Sequence, residues 1–158
     1  MPQASAGLLL FRVTDGTAEV LIGHPGGPFW ARKDDGAWSI PKGEFDGSEQ
    51  AWPAAQREFA EEVGLAVPDG PRIDFPPLRQ PSGKVITAFA VEADLDVTDA
   101  VSNTFEMEWP RGSGRLRQYP ELDRVQWFAV GQARVKLLKG QRPLLDQLMQ
   151  QLAGRAVE

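Results

Sequence analysis

The sequence predicts a mixed α/β sandwich formed by a single domain, residues 1–158. Strand-like and helical segments alternate in the order strands, helix, strands, helix, which is typical of this class. Two segments place apolar residues at the 3.6-residue spacing of a helix. The length of 158 residues and the hydrophobic fraction of 42% suit one domain with a buried core.

The N-terminal part is predicted to be a β-hairpin. Residues 7–13 (GLLLFRV) and 18–22 (AEVLI) are rich in strand-forming residues, and Asp15-Gly16 between them is a strong turn signal. Residues 24–36 are rich in glycine and proline and are predicted to form a loop, with His24 as a turn or surface residue. A short strand is expected at Ala37–Ile40.

Residues 51–63 are predicted to form a helix. Pro53 is tolerated only in a first turn, so the helix is expected to begin near Gln50 or Ala51. Gly64 suits the left-handed position after the last turn, with Leu65 folding back on the helix. The side chains expected to pack against a sheet from this helix are Trp52, Phe59 and Val63.

The C-terminal half is predicted to contain strands and one helix. A proline-rich loop (Val67 to Pro77) precedes two strands around Pro81-Ser82-Gly83, the second being Val85 to Val91. Residues 102–120 are expected to be irregular, and Arg124 to Val130 is predicted to be a strand. The final helix is indicated by Pro143 in a first turn and by the helical spacing of Leu144, Leu145, Leu148, Met149 and Leu152.

The composition limits which metal sites, binding partners and cellular location are expected for this chain. The chain has no cysteine and only one histidine, so any metal must be held mainly by oxygen, which favours Mg²⁺ or Mn²⁺. A net charge of −5 argues against broad binding to nucleic acid or to an anionic membrane. The apolar run Gly7 to Phe11 is too short for a membrane span or a signal sequence, so a cytoplasmic location is expected.

Three carboxylates crowd the end of the predicted central helix. Glu58, Glu61 and Glu62 fall within an arc of roughly 100° when drawn at the rotation of an α-helix. They repel one another and lie in the last turn, where the helix dipole disfavours anions. Arg57 lies off this arc. Bound divalent cations would offset both costs, which is the physical reason to predict a metal site here.

The same segment resembles the Nudix box, G-x5-E-x7-R-E-U-x-E-E-x-G-U, in which U is a bulky apolar residue. All nine defined positions between Gly43 and Leu65 match without an insertion. They are Gly43, Glu49, Arg57, Glu58, Phe59, Glu61, Glu62, Gly64 and Leu65. The resemblance implies a Nudix-like α/β/α sandwich with a mixed β-sheet and the hydrolysis of a phosphoanhydride bond.

The resemblance also implies roles for matched residues. Glu58, Glu61 and Glu62 would be catalytic and would hold divalent ions, with at least one of them helping to activate water. The carbonyl group of Lys42 would be a further metal ligand. Glu49 and Arg57 would form a structural ion pair between the loop and the helix.

A carboxylate from outside the box often completes the metal shell in this family. Glu121 is the favoured candidate, since it lies six residues before a Trp expected in the last strand. Glu106 and Glu108 are rivals, and the absence of any such ligand is a further alternative.

Substrate-binding residues are predicted less directly. Arg111, Arg115 and Arg117 lie within seven residues of an acidic protein and are candidates for binding distal phosphates, as is Lys84. Trp38 is a candidate for stacking on a base, and the aromatic residues near the box are its rivals: Phe29, Trp30, Phe45, Trp109 and Tyr119. The alternative for each aromatic residue is a place in the core.

The predicted function is that of a Mg²⁺-dependent pyrophosphohydrolase, with Mn²⁺ as a possible replacement. Pro41-Lys42-Gly43 resembles the diadenosine-polyphosphate hydrolases and the diphosphoinositol-polyphosphate phosphohydrolases of the family. This resemblance favours a small-molecule substrate with a long phosphate chain, such as a dinucleoside polyphosphate or a nucleoside triphosphate. One alternative is a catalytically weak nucleotide-binding or regulatory Nudix module, and another is an RNA 5′-end pyrophosphohydrolase. No nucleic-acid or membrane partner is expected, and the chain is expected to be a monomer or a homodimer.

Overall fold

Nine strands and three α-helices follow one another along residues 4–155, the part of the chain that this computed structural model describes. The strands are β1 Ala4–Thr14, β2 Thr17–Pro25, β3 Lys42–Glu44, β4 Arg72–Asp74, β5 Leu78–Arg79, β6 Val85–Glu92, β7 Thr104–Glu108, β8 Leu116–Pro120 and β9 Leu122–Ala129. The helices are α1 Ala51–Val63, α2 Val130–Lys136 and α3 Arg142–Arg155, with a single 3₁₀ turn at Lys139–Gln141 before α3.

The main sheet contains seven of these strands. Its central order is β4-β6-β1-β2-β9, with β3 also paired to β1 and β5 also paired to β6. The pairing of β1 with β6 is parallel, and the other pairings are antiparallel. The sheet is therefore mixed, as the sequence predicts.

Both faces of the sheet are covered by helices. Side chains alternate along β1, so Leu8 and Leu10 pack on the α1 side while Leu9 and Phe11 pack on the other side. The α1 layer includes Ala54, Ala55, Phe59 and Val63. The opposite layer includes Leu137, Leu144, Leu145 and Leu148 from α2, its C-terminal end and α3. These two layers make the α/β/α sandwich, which confirms the predicted fold class.

The predicted N-terminal hairpin is present as β1 and β2. The central turn residues Asp15 and Gly16 have φ angles of 52° and 77°. Two positive φ values in succession give the turn that matches the twist of paired strands.

The structure corrects two predictions about secondary structure. Residues 102–120 are not irregular, because β7 and β8 pair there as a separate antiparallel hairpin. The predicted strand at Ala37–Ile40 is reduced to two isolated bridges, Gly23 with Ser39 and Trp38 with Leu137. The strand forms at β3 instead, where Lys42–Glu44 pairs with β1. Backbone partners far away in the sequence decide the second case, whereas β7 and β8 are close in the sequence.

Across residues 4–155, none of the helices combines the length and the apolar character that crossing a bilayer requires.

Candidate active site

The C-terminal end of α1 is anchored by backbone contacts. Gly64 has a φ of 78°, and its N–H donates to the carbonyl of Ala60 at 2.9 Å. A Cβ at Gly64 would overlap the carbonyl oxygen of Val101, so the chain passes too close here for a larger residue. The N–H of Val101 donates to Val63, and that of Asn103 donates to Glu61. The turn that carries the glutamates is thereby held in place.

Strand β3 runs against this helix at very short range. A Cβ on Gly43 would overlap the carboxyl group of Glu58, so a larger residue here would force that carboxyl group to move. The backbone N–H of Lys42 donates to Glu62 Oε2 at 3.1 Å. Two of the three glutamates at the end of α1 therefore lie directly on the backbone of β3.

Glu62 is the most buried carboxylate of the site. It is only 8% exposed. Burial raises the pKa of Glu62 to about 8, against the lowering effect of the Lys42 N–H, and the nearby charges of Glu58 and Glu121 raise it further. Burial also raises the pKa of Glu58, with Arg57 acting in the opposite direction. Positive charge placed among these groups would relieve the cost of ionising them.

Arg57 makes more contacts than the sequence predicts. The predicted ion pair is present, with Arg57 Nη2 2.6 Å from Glu49 Oε1. Arg57 Nη1 also lies 2.9 Å from Glu58 Oε1 and 3.3 Å from Glu61 Oε1. These carboxylates raise the pKa of Arg57, with the hydrogen bond to Glu49 as the largest cause. Arg57 thus bridges the loop before α1 and two of the box glutamates.

A cavity of about 220 Å³ opens beside Glu62. Its polar lining includes Lys42, Glu62 and Glu121, and the indole of Trp30 contributes to its apolar wall. The cavity is also lined by Pro25, Ala37, Ser39, Leu122 and Leu138. The structure therefore brings Glu121 to the site, whereas Glu106 and Glu108 lie on the exposed side of β7 and do not line this cavity.

The donor set suits a hard divalent ion, although the side chains are not gathered around one. Carboxylate oxygens from Glu58, Glu61, Glu62 and Glu121 are the ligands such an ion prefers. Within residues 4–155, however, no three His, Cys, Asp or Glu side chains converge closely enough to enclose an ion. Arg57 accounts for part of this, because it draws Glu58 and Glu61 to itself.

A family model described as "NUDIX domain" matches residues 1–149 of this sequence. The chain belongs to the Nudix family. The match and the intact box identify a Nudix hydrolase, an enzyme that acts on pyrophosphate bonds, and hydrolases of this family generally use divalent metals.

Solved structures share the fold of this Nudix hydrolase. A mutT/nudix family protein from Listeria innocua is 20% identical, with a TM-score of 0.67 over 99% of this chain and 98% of the other. The NUDIX domain of Shewanella oneidensis NrtR, crystallised with ADP ribose, is 16% identical, with a TM-score of 0.65 over 96% and 89%. An Ap4A hydrolase from C. elegans is 21% identical, with a TM-score of 0.61 over 95% and 98%. No curated protein matches the sequence significantly.

The basic residues predicted to bind phosphate lie outside the cavity of this Nudix hydrolase. Arg111, Arg115 and Arg117 are exposed on the β7–β8 hairpin, and Lys84 is exposed just before β6. The base of this hairpin adjoins the loop that carries Trp30, because Phe105 and Tyr119 pack around Gly27. The arginines therefore project from an element next to the site without lining it.

Trp38 is not a substrate contact, which corrects the prediction made for it. Its side chain is only 1% exposed and belongs to the core between the sheet and α3. Its indole Nε1 donates to Asp34 Oδ1 at 2.7 Å, which satisfies its one polar group. The bridge to Leu137 turns this residue inward, and Trp30 is the tryptophan that reaches the cavity.

His24 is also placed differently from the prediction. It is 1% exposed, on β2, and not in a turn or on the surface. The alternation of side chains along β2 continues past the predicted end at Ile22 and reaches His24. This alternation was the signal in the sequence that could have placed His24 on the strand.

Proposed function

We propose that this Nudix hydrolase cleaves a phosphoanhydride bond in a nucleoside-diphosphate-linked small molecule, with a dinucleoside polyphosphate or a nucleoside triphosphate favoured. The observation that carries the proposal is a cavity lined by the buried Glu62, the exposed Glu121 and Trp30. Carboxylates suit the cations that accompany phosphates, and an indole surface suits a base.

The proposed metal ligands are Glu58, Glu61, Glu62, Glu121 and the Lys42 carbonyl. Mg²⁺, or Mn²⁺ in its place, would supply positive charge for the phosphates and make water a stronger nucleophile. Gly43 supports this assignment, because its lack of a side chain lets Glu58 approach the backbone of β3 next to Lys42.

The box glutamates have a second proposed role as acceptors of the proton from the attacking water. Glu62 and Glu58 are suited to it by position, because both lie against the backbone of β3 beside the proposed metal ligand Lys42. Glu49 would hold Arg57 and so limit how strongly Arg57 competes with the ion for Glu58 and Glu61.

The substrate is proposed to span the cavity and the neighbouring hairpin. Trp30 would stack on the base, and Arg111, Arg115 and Arg117 would contact the distal phosphates of a long chain. Lys84 is a further candidate for contacting these phosphates. Ap4A hydrolase and the ADP-ribose-bound NrtR domain share the fold, and both names point to compounds that contain a nucleoside diphosphate. A cytoplasmic location, where such compounds are made, is part of this proposal.

The decisive experiment is a substrate panel with Mg²⁺ or with a chelator. It compares diadenosine tetraphosphate, nucleoside triphosphates, ADP-ribose and 5′-triphosphate RNA, and it measures the release of phosphate, pyrophosphate and nucleotide. Metal-dependent turnover is expected, fastest on the first two classes. Hydrolysis in ¹⁸O-labelled water then identifies the phosphorus atom that is attacked.

Two outcomes of the same panel would replace the proposal. Tight nucleotide binding without turnover would indicate a regulatory module. Turnover confined to RNA would indicate a 5′-end pyrophosphohydrolase, against which the net charge of −5 argues.

The role of Glu121 is tested separately with Glu121→Ala. Turnover is expected to fall strongly while the unfolding temperature stays nearly the same, since the side chain is exposed. Unchanged turnover would remove Glu121 from the site. Glu106→Ala and Glu108→Ala are the matched comparisons for the two rival positions.

A further inference from the structure

His24 makes two hydrogen bonds from a buried position. Its Nδ1 lies 2.8 Å from Asp123 Oδ1, and its Nε2 lies 2.6 Å from the backbone carbonyl of Lys33. The ring also meets Trp38 edge-on, with 5.3 Å between the ring centroids. His24 therefore links three parts of the chain: β2, β9 and the loop of residues 26–36.

The chemistry of the partners sets the direction of these bonds. A backbone carbonyl only accepts, and so does an ionised carboxylate. The bond to the loop specifically requires a hydrogen on Nε2.

The two halves of this loop are held in different ways. Its C-terminal half is tied to α2, since Lys136 Nζ lies 2.7 Å from Asp34 Oδ2 and Gly36 N donates to the carbonyl of Val135. Residues 27–33 make local turn bonds, such as Lys33 N to the carbonyl of Trp30. Of the hydrogen bonds found in residues 4–155, the one from His24 is what joins residues 27–33 to the main sheet.

This half of the loop carries the aromatic wall of the cavity, and Trp30 also packs against the core between the sheet and α3. Trp30 lines the cavity with Glu62 and Glu121, and its ring meets Phe29 edge-on. The ammonium group of Lys33 lies 3.9 Å from the centroid of Phe29 and 5.0 Å from that of Trp30. A bond that fixes the Lys33 carbonyl therefore also fixes this aromatic group.

The position of Glu121 depends on other bonds. Its N–H donates to the carbonyl of Asn103 at 2.9 Å, and its carbonyl accepts from the N–H of Gly26 at 3.0 Å. The backbone that carries this carboxylate thus has two anchors that do not involve the His24 ring.

We propose that His24 is a positioning residue, which sets the affinity for the nucleoside part of the substrate by holding Trp30 at the cavity through the Lys33 carbonyl. The inference rests on the proposed function. It predicts that losing this bond weakens substrate binding more than turnover, because Trp30 moves while the carboxylates stay in place.

The main test is His24→Phe, which keeps a ring against Trp38 and removes both N–H groups. KM for diadenosine tetraphosphate is expected to rise about tenfold, the factor that corresponds to one lost hydrogen bond of ordinary net strength. We expect kcat to change less than the KM does. Competitive inhibition by tripolyphosphate, which has no base, should keep its wild-type strength.

Two further variants control for folding. His24→Gln keeps an amide N–H that can reach the Lys33 carbonyl, so its KM should lie closer to wild type than that of His24→Phe. Trp127→Phe removes a comparable bond on β9, from Nε1 to the carbonyl of Leu95 at 3.0 Å, and should lower the unfolding temperature without changing KM. Equal KM values for His24→Phe and wild type would overturn the proposal, and so would an equal rise in Trp127→Phe.

A spectroscopic measurement checks the required hydrogen directly. His24 is the one histidine of the chain, so its imidazole ¹⁵N signals need no assignment by mutagenesis. A hydrogen on Nε2 is expected at the pH of the assay. A bare Nε2 would overturn the proposal.

Binding measurements separate this inference from the proposed function. If the wild type cleaves no phosphoanhydride but binds ADP in calorimetry, the proposed function fails, and the ADP affinities of His24→Phe and His24→Gln still judge the role of His24. A wild-type protein that neither cleaves nor binds nucleotides would overturn both.

Discussion

Helices α1 and α3 cover opposite faces of one sheet, yet their side chains have different roles. Helix α3 buries Leu144, Leu145 and Leu148, and Arg155 in its last turn forms an ion pair with Glu92 at 2.7 Å. Helix α1 buries Phe59 and Val63 in a similar way but also buries Glu62. A cation near a helix C-terminus is favourable, whereas carboxylates there are not.

The comparison shows how a fold separates stability from chemistry. The side of the sheet covered by α3 is filled with buried apolar side chains. At the end of α1, carboxylates lie beside β3 although negative charge is unfavourable at a helix C-terminus. Substitutions at the end of α1 should therefore change activity more than stability. Substitutions in α3 should do the reverse.

The largest effect is expected for Glu62→Gln at the end of α1. Turnover should fall by a factor of about 10²–10⁴, the usual contribution of a positioned proton acceptor, and by more if metal binding is lost as well. The free energy of unfolding should stay the same or rise, because the variant lacks the ionisable group whose burial raises its pKa and so disfavours folding above the pKa of an exposed Glu. Steady-state kinetics and urea unfolding measure the two quantities.

A matched control for this variant is Glu92→Gln, which alters a carboxylate beside α3. It should leave turnover unchanged. A Glu62→Gln protein with near wild-type turnover would contradict the assignment of the site.

The opposite pattern is expected for Leu148→Ala in α3. Leu148 is fully buried, so the substitution should lower the free energy of unfolding by about 2–5 kcal/mol through lost burial and a residual cavity. The kcat of the protein that remains folded should be unchanged. A large drop in kcat at temperatures well below unfolding would show that α3 is coupled to the site.

Addition of Mg²⁺ should stabilise the protein through α1. A ligand at 100 times its Kd raises the free energy of unfolding by about 2.7 kcal/mol, which thermal unfolding detects as a higher Tm. The increase should disappear when Glu58, Glu61 and Glu62 are all replaced by Gln, while Leu148→Ala should retain it. An equal increase in the triple variant would mean that Mg²⁺ binds elsewhere.

The smallest effect is expected for the ion pairs of the two helices. Glu49→Gln and Asp146→Asn each break an exposed pair, the first with Arg57 and the second with Arg134. Each should cost less than about 1 kcal/mol of stability. Only Glu49→Gln should weaken Mg²⁺ binding, because Arg57 would then pair with Glu58 and Glu61 alone and compete with the ion for them. Calorimetric titration would measure the two Mg²⁺ affinities. Equal Mg²⁺ affinities in the two variants would contradict this role of Glu49.

Local signals in the sequence predicted much of the fold and part of the site. The bounds of α1 follow from helical spacing, from Pro53 in the first turn and from Gly64 after the last one, all of which act within a few residues. Alternation around Asp15-Gly16 predicted the first hairpin in the same way. The β7–β8 hairpin was missed, although Phe105 and Met107 alternate with exposed glutamates.

By itself the sequence determined that three glutamates share the end of one helix, because residues three and four apart lie on one face of any helix. Tertiary structure decided which side chains surround them. Trp38 is buried and Trp30 lines the cavity, and Glu121 approaches Glu62 although the two are far apart in the sequence. His24 and Asp123 are 99 residues apart and meet because β2 pairs with β9. Contacts of this kind depend on how the whole sheet assembles, and no local pattern encodes them.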